Sequence, residues 1–208
     1  MGCVSTAGPV GEVTGVRAMT SVGTSSSRLT FERRHGGVTG DESIRRLTRI
    51  VDRLTDGGWE SLTVRVAVLR SEEPNAYVLA SGHMYVTMGM MDTACTDAEL
   101  AAVLAHELAH LDDLRAFDRK GLSLSDRLEV EVAADERAVF LLVLGRYEPA
   151  ALAEMILRLS DQQPDGWAKH RYDRLESYLV STGHVEGRAE YVTDDASAEA
   201  CTVEISSK

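Results

Sequence analysis

The sequence predicts an α+β fold, mainly helical, with a small three-stranded sheet beside one long helix. Three observations predict it. Apolar residues recur at helical spacing along most of the chain, strict period-two alternation is confined to residues 61–91, and glycines or caps punctuate the segments between. With 208 residues, the chain is long enough for one domain with a sizeable core. Apolar residues make up 44% and charged residues 26%, as in ordinary globular proteins. The net charge of -11 argues against a nucleic-acid partner, because phosphate binding relies on clustered Lys and Arg.

Residues 1–40 are rich in Gly, Ser and Thr with few large apolar residues, and read as a flexible leader. Their start, "MGCVST", is open to two readings. It fits a plain N-terminus, or lipid attachment at Cys3, by the myristoylation-type pattern or as the first residue of a processed lipoprotein. Lipidation would put the chain on the cell envelope, its sole membrane contact; without it the chain is expected to be soluble. Asp41 opens a helix with Ile44, Leu47, Ile50, Val51 and Leu54 on one face, stopped at Gly57-Gly58. From Ser61 to Leu69 the residues Leu62, Val64, Val66 and Val68 alternate with Thr63 and Arg65, which makes a strand. "NAYVLA" and "HMYVTMGM" follow as a second and a third, separated by the turn signal Ser81-Gly82.

Thr96 and Glu99 form a capping box ahead of a long helix, and "DRKGLSLSD" breaks it. A second long helix runs from about Asp126 to Leu144 and stops at Gly145. Pro149 begins a third, and a fourth covers roughly His170 to Val180. The catalytic-sized unit is therefore 41–185, and the acidic, serine-rich tail 186–208 reads as disordered. Cys3, Cys95 and Cys201 lie far apart, so neither a zinc ribbon nor a disulfide framework is indicated.

The first long helix carries "ELAAVLAHELAHLDD". Residues four apart stack on one helical face, so His106 and His110 can offer ring nitrogens to one ion. Glu107 sits beside them, within reach of a water on that ion, as a general base. A chance match to this pattern is expected in only about one chain in a hundred. A catalytic zinc needs a third protein ligand with one position left open. Position 116 is Ala116, which rules out a third histidine six residues on. "LEVEVAADERA" supplies the alternative: Glu131 and Asp135 share a helical face, while Glu129 points roughly 200° away from Glu131. Asp135 is placed to accept the second ring N–H of a zinc histidine. One Zn2+ per chain is expected.

These elements in order, "NAYVLASGHMYVTMGMM", "TDAELAAVLAHELAHL" and "EVAADERA", resemble peptidase family M48, the group of the CAAX prenyl proteases, HtpX and BepA. The resemblance implies a zincin-like fold and a zinc endopeptidase of the gluzincin kind, with Glu131 as third ligand and polypeptide as substrate. It also implies a sheet edge that binds substrate backbone, in a minimal catalytic domain suited to protein quality control. The substrate edge is expected along one of the strands between Asn75 and Met91, where His83, Tyr85 and Thr87 alternate on one face, with an ordinary internal strand as the alternative. The family's His-Pro pair followed by an arginine is met here by "WAKHRYDRLESYL", where His170 and Arg174 are the counterparts and Arg171 stands in place of the proline. His170 has three readings: a latch on the open metal position, a group facing the reacting carbonyl, or a surface residue opening a helix. Two other functions compete with the endopeptidase: a non-catalytic zinc-containing adaptor or chaperone-like module, and a DNA-associated metalloprotease, which the charge disfavours.

Overall fold

The computed structural model describes residues 11–12, 25–39, 41–56, 64–79, 81–116 and 123–184. In chain order the elements are β1 (Gly11–Glu12), α1 (Ser25–Arg34), β2 (Val38–Thr39), α2 (Asp41–Thr55), β3 (Arg65–Leu69), β4 (Ala76–Val78) and β5 (His83–Thr87). The helices α3 (Met88–Thr93), α4 (Asp97–Ala116), α5 (Leu124–Leu144), α6 (Ala150–Arg158) and α7 (Trp167–Thr182) follow, with a 3-10 turn at Ser160–Gln162 between the last two. The fold is α+β and mainly helical, with a small sheet beside the long helix α4, as the sequence predicts. No helix of the described residues is long and apolar enough to cross a membrane. Cys3 and the tail 186–208 lie outside the described residues.

The sheet is larger and differently ordered than three local strands suggest. β3 and β5 pair in parallel, from Arg65 opposite His83 to Leu69 opposite Thr87. β4 pairs antiparallel with the other side of β5, and the two-residue strands β1 and β2 both pair antiparallel with β3. β5 is therefore internal. Its two edges are spent on main-chain hydrogen bonds, so His83, Tyr85 and Thr87 do not form a substrate edge, contrary to expectation. Tyr85 and Thr87 are buried. Among the described residues the edge next to β5 is β4.

Alternation along β3 and β5 divides the core. Val64, Val66, Val68, Met84 and Val86 face α2 and α4 in the main core. Ala67, Leu69 and Tyr85 point to the other face, where Phe31 and Val38 pack on them. Residues 25–39, expected within a flexible leader, thus form α1 and β2 on the back of the sheet. Phe31 meets Tyr85 and Tyr77 at centroid distances of 5.2 Å each, and the Tyr85 hydroxyl donates to Glu32 at 2.9 Å. These few aromatic and polar contacts, too sparse to make an apolar run, hold α1 in place.

β5 was expected to run on through "MGM", but it ends at Thr87. The Thr87 hydroxyl accepts from Met90 N at 3.1 Å and so caps α3. It also accepts from Asn75 N at 2.9 Å and donates to the Glu73 carbonyl at 2.7 Å. Gly89 lets the 71–73 loop cross directly over the start of α3: a Cβ there would lie 2.0 Å from the Glu72 carbonyl oxygen. The result fixes Glu73 and Asn75 beside α4.

α4 is a buried helix rather than an amphipathic one. From Glu99 to Leu111 its only partly exposed residues are His106 and Glu107. Leu100, Leu104, Leu108 and Leu111 are fully buried, each contributing about 1.5–3 kcal/mol. Its start is fastened three ways. Glu99 N donates to the Thr96 hydroxyl and Thr96 N to the Glu99 carboxylate, both at 3.1 Å, completing the expected capping box. Asp97 accepts from Arg46 and Arg49 of α2 at 2.6 and 3.0 Å. Arg158 of α6 donates to Glu99 at 2.7 Å. Just ahead of the cap, the Cys95 N–H donates to the Glu99 carboxylate at 2.7 Å. The two other cysteines lie outside the described residues.

Candidate metal centre

The break in the buried stretch Glu99–Leu111 of α4 is where the chemistry gathers. One turn apart, the His106 and His110 rings stand edge to face at 83° with centroids 4.4 Å apart. α5 packs alongside and brings Glu131 between them. Its Oε2 lies 3.2 Å from His106 Nε2, and its Oε1 lies 3.4 Å from His110 Nε2. The ligand atoms of all three residues fall within 4.8 Å of one another. Ligands about 2.0–2.1 Å from a tetrahedral ion stand about 3.3 Å apart, close to the two histidine–carboxylate separations. His106, His110 and Glu131 could therefore hold an ion of zinc's size, and three protein ligands would leave it one short of four.

Asp135, one turn further along α5, holds the first histidine. Its Oδ1 lies 2.9 Å from His106 Nδ1, while Nε2 of the same ring faces Glu131. Asp135 is itself gripped by Arg171 of α7, whose Nε and Nη2 donate to its two oxygens at 2.8 and 2.7 Å. Arg171 also donates to Gln163 at 3.1 Å and lies 3.6 Å from Glu131. Burial pushes the Asp135 carboxyl up, but the hydrogen bonds from Arg171 and His106 outweigh it and hold the group ionised. Burial likewise opposes ionisation of Glu131, and its two histidine partners reverse that and depress it strongly. Without an ion, His106 is lowered by burial and raised further by Asp135 and Glu131, ending at about 9. The two carboxylates beside His106 thus favour a positive charge there.

Glu107, half-buried beside His106, lines a cavity of about 410 Å³ that also reaches Asn75 and Ala76 at the sheet edge and Arg171. Of the residues singled out in the sequence, the fold brings together His106, Glu107, His110, Glu131 and Asp135. It does not bring in His170 or Arg174. His170 Nε2 lies 4.0 Å from Glu129, and Arg174 lies 3.7 Å from Glu129 and 3.9 Å from Glu136, on a half-exposed face away from the cluster. Neither lines the cavity; of the three readings of His170, this position fits the surface residue. The α7 residue at the site is Arg171, which the sequence reading passed over. Its signal was legible: Ala168, Arg171, Leu175 and Leu179 form one buried helical stripe, with a charge in it.

Comparison with known families agrees with the resemblance. The sequence of Peptidase family M48 is matched by residues 42–117, from α2 through the end of α4. The match includes His106, Glu107 and His110, whereas Glu131, Asp135 and Arg171 lie beyond it and rest on the geometry above. No curated protein matches the chain.

Proposed function

Taking residues 42–117 as sequence of peptidase family M48, we propose that this chain is a zinc-dependent metalloendopeptidase acting on extended polypeptides. The observation that carries the proposal is the convergence of His106 Nε2 and His110 Nε2 on the Glu131 carboxylate at tetrahedral-ligand spacing, with Glu107 in the adjoining cavity. Zinc bound by these three residues would polarise a scissile carbonyl and acidify a water. The chain's own groups do the rest. Asp135, beside Nδ1, would fix the His106 tautomer that offers Nε2 as a ligand. Arg171 fixes Asp135. Glu107 takes a proton from the attacking water as general base and returns it to the departing amine.

The test is zinc content together with casein hydrolysis, for the parent chain and for Glu107→Gln. The amide is isosteric and cannot act as a base, while the three ligands are untouched. The variant is expected to bind one zinc and to retain less than about one percent of turnover. Zinc binding with no hydrolysis by the parent chain would favour the adaptor reading. Undiminished turnover in the variant would remove Glu107 as the base.

A further inference from the structure

α1 has two unlike faces. Phe31 and Glu32 turn inward onto Tyr85, whereas Leu29, Thr30, Arg33 and Arg34 are all exposed. A helix advances about 100° per residue, so these exposed side chains fall on one outward stripe. Just past the helix, Arg70 extends the stripe: its N–H donates to the Gly37 carbonyl at 3.0 Å, and its side chain is exposed. Among the described residues, Arg33, Arg34 and Arg70 are not held by any carboxylate. Arg33 folds back on its own helix instead, donating to the Leu29 carbonyl at 3.3 Å. The acids closest in the chain are Glu32, 7% exposed and bonded to Tyr85, and Glu72 and Glu73, of which Glu73 lines the cavity.

A cationic stripe on an acidic chain calls for an anionic partner. The overall charge of -11 repels one, but salt screens that repulsion beyond about 8 Å, so the charges at contact decide. Leu29, 41% exposed among the arginines, narrows the choice. A lipid surface takes an apolar side chain below its headgroups while guanidinium groups stay at the phosphates. The position of α1 also fits. It packs on the back of the sheet, opposite the face that carries α4 and the metal centre, so a chain docked through α1 keeps its cavity clear. An acyl chain at Cys3, one of the two readings of the N-terminus, would bind only marginally by itself, and a cationic face is the second signal that such an anchor needs.

We propose that the outer face of α1, with Leu29, Arg33, Arg34 and the neighbouring Arg70, docks on an anionic phospholipid surface. The proposal does not depend on the peptidase reading.

Co-sedimentation with vesicles tests it, using the full chain with Cys3→Ser so that no lipid is attached at that residue. The chain should partition onto vesicles of phosphatidylcholine with phosphatidylglycerol, should leave phosphatidylcholine alone unbound, and should be released by high salt. Each arginine at an anionic surface contributes about fivefold, so Arg33→Gln, Arg34→Gln and Arg70→Gln together should weaken partition about a hundredfold. Leu29→Ser should weaken it severalfold with the salt dependence unchanged, since apolar contact is lost and charge is not. Arg45→Gln, on the exposed side of α2, should change nothing. All these side chains except Cys3 are exposed, and thermal unfolding should match the parent. No partition onto the anionic vesicles overturns the proposal, as does a triple variant that partitions like the parent. Partition that appears only after deletion of 186–208 would make the acidic tail the occupant of this face, and the lipid assignment falls. Tighter binding to duplex DNA than to the vesicles at equal salt would overturn it as well.

Discussion

His170 and Arg171 are neighbours on α7, yet one faces outward to Glu129 and the other inward to Asp135. A helix turns about 100° per residue, so a shift of one position decides whether a side chain belongs to the site. Arg171 forms a two-bond fork on a carboxylate that is 1% exposed. Arg171→Met should therefore leave the buried Asp135 with His106 as its remaining partner and destabilise the fold by about 1–3 kcal/mol. Denaturant unfolding measures this, and a loss under about 0.5 kcal/mol would show that the pair contributes nothing. The same rotational argument separates Glu131 from Glu129. Glu131→Gln should weaken zinc binding at least tenfold, in the range of lost metal-site partners, and Glu129→Gln should leave it unchanged. Equal affinities in a metal titration would sink the assignment of Glu131 as ligand. Glu131 was legible because a spacing of four with Asp135 puts both on one face. Arg171 was missed because the family pattern draws the eye to a histidine, whereas the informative signal was a charge in an apolar stripe.

The helices α2 and α4–α7 were legible from their own residues, since apolar spacing, caps and terminal glycines all act within a few positions of the chain. The sheet was not, because strand order depends on partners far away. "HMYVT" reads the same whether it pairs on one side or two, and only the parallel pairing with β3 makes it internal. α3 was hidden for a related reason: "MGM" is apolar enough to extend a strand, and the capping by Thr87 and the approach of Glu72 to Gly89 are tertiary. The strand order puts β4, not β5, at the sheet edge among the described residues, and its residue Ala76 borders the cavity. An added strand on β4 would use alternate backbone amides. N-methylation at successive positions of a peptide substrate should therefore cut turnover in an alternating pattern, strong at one position and weak at the next. A uniform decline along the peptide would exclude pairing of this kind.

At the scale of the molecule, the candidate centre ties three helices together. His106 and His110 come from α4, Glu131 and Asp135 from α5, and Arg171 from α7. The main core does not depend on that tie. The leucines of α4 are buried in one continuous cluster with apolar residues of α2, the sheet, α5 and α6. The metal-free chain should accordingly stay folded, in contrast to small domains whose fold is made by the metal. Zinc should still raise its stability by mass action, by about 2.7 kcal/mol at a free concentration 100 times Kd. For a chain of this size that amounts to a rise in Tm of roughly 5–11 °C. Thermal unfolding with and without a chelator measures the shift, and Glu131→Gln serves as the control that should shrink it. A chelated chain that is unfolded at room temperature would mean that the core cannot stand without the centre. An unchanged Tm at saturating zinc would mean that the three helices are not joined through it.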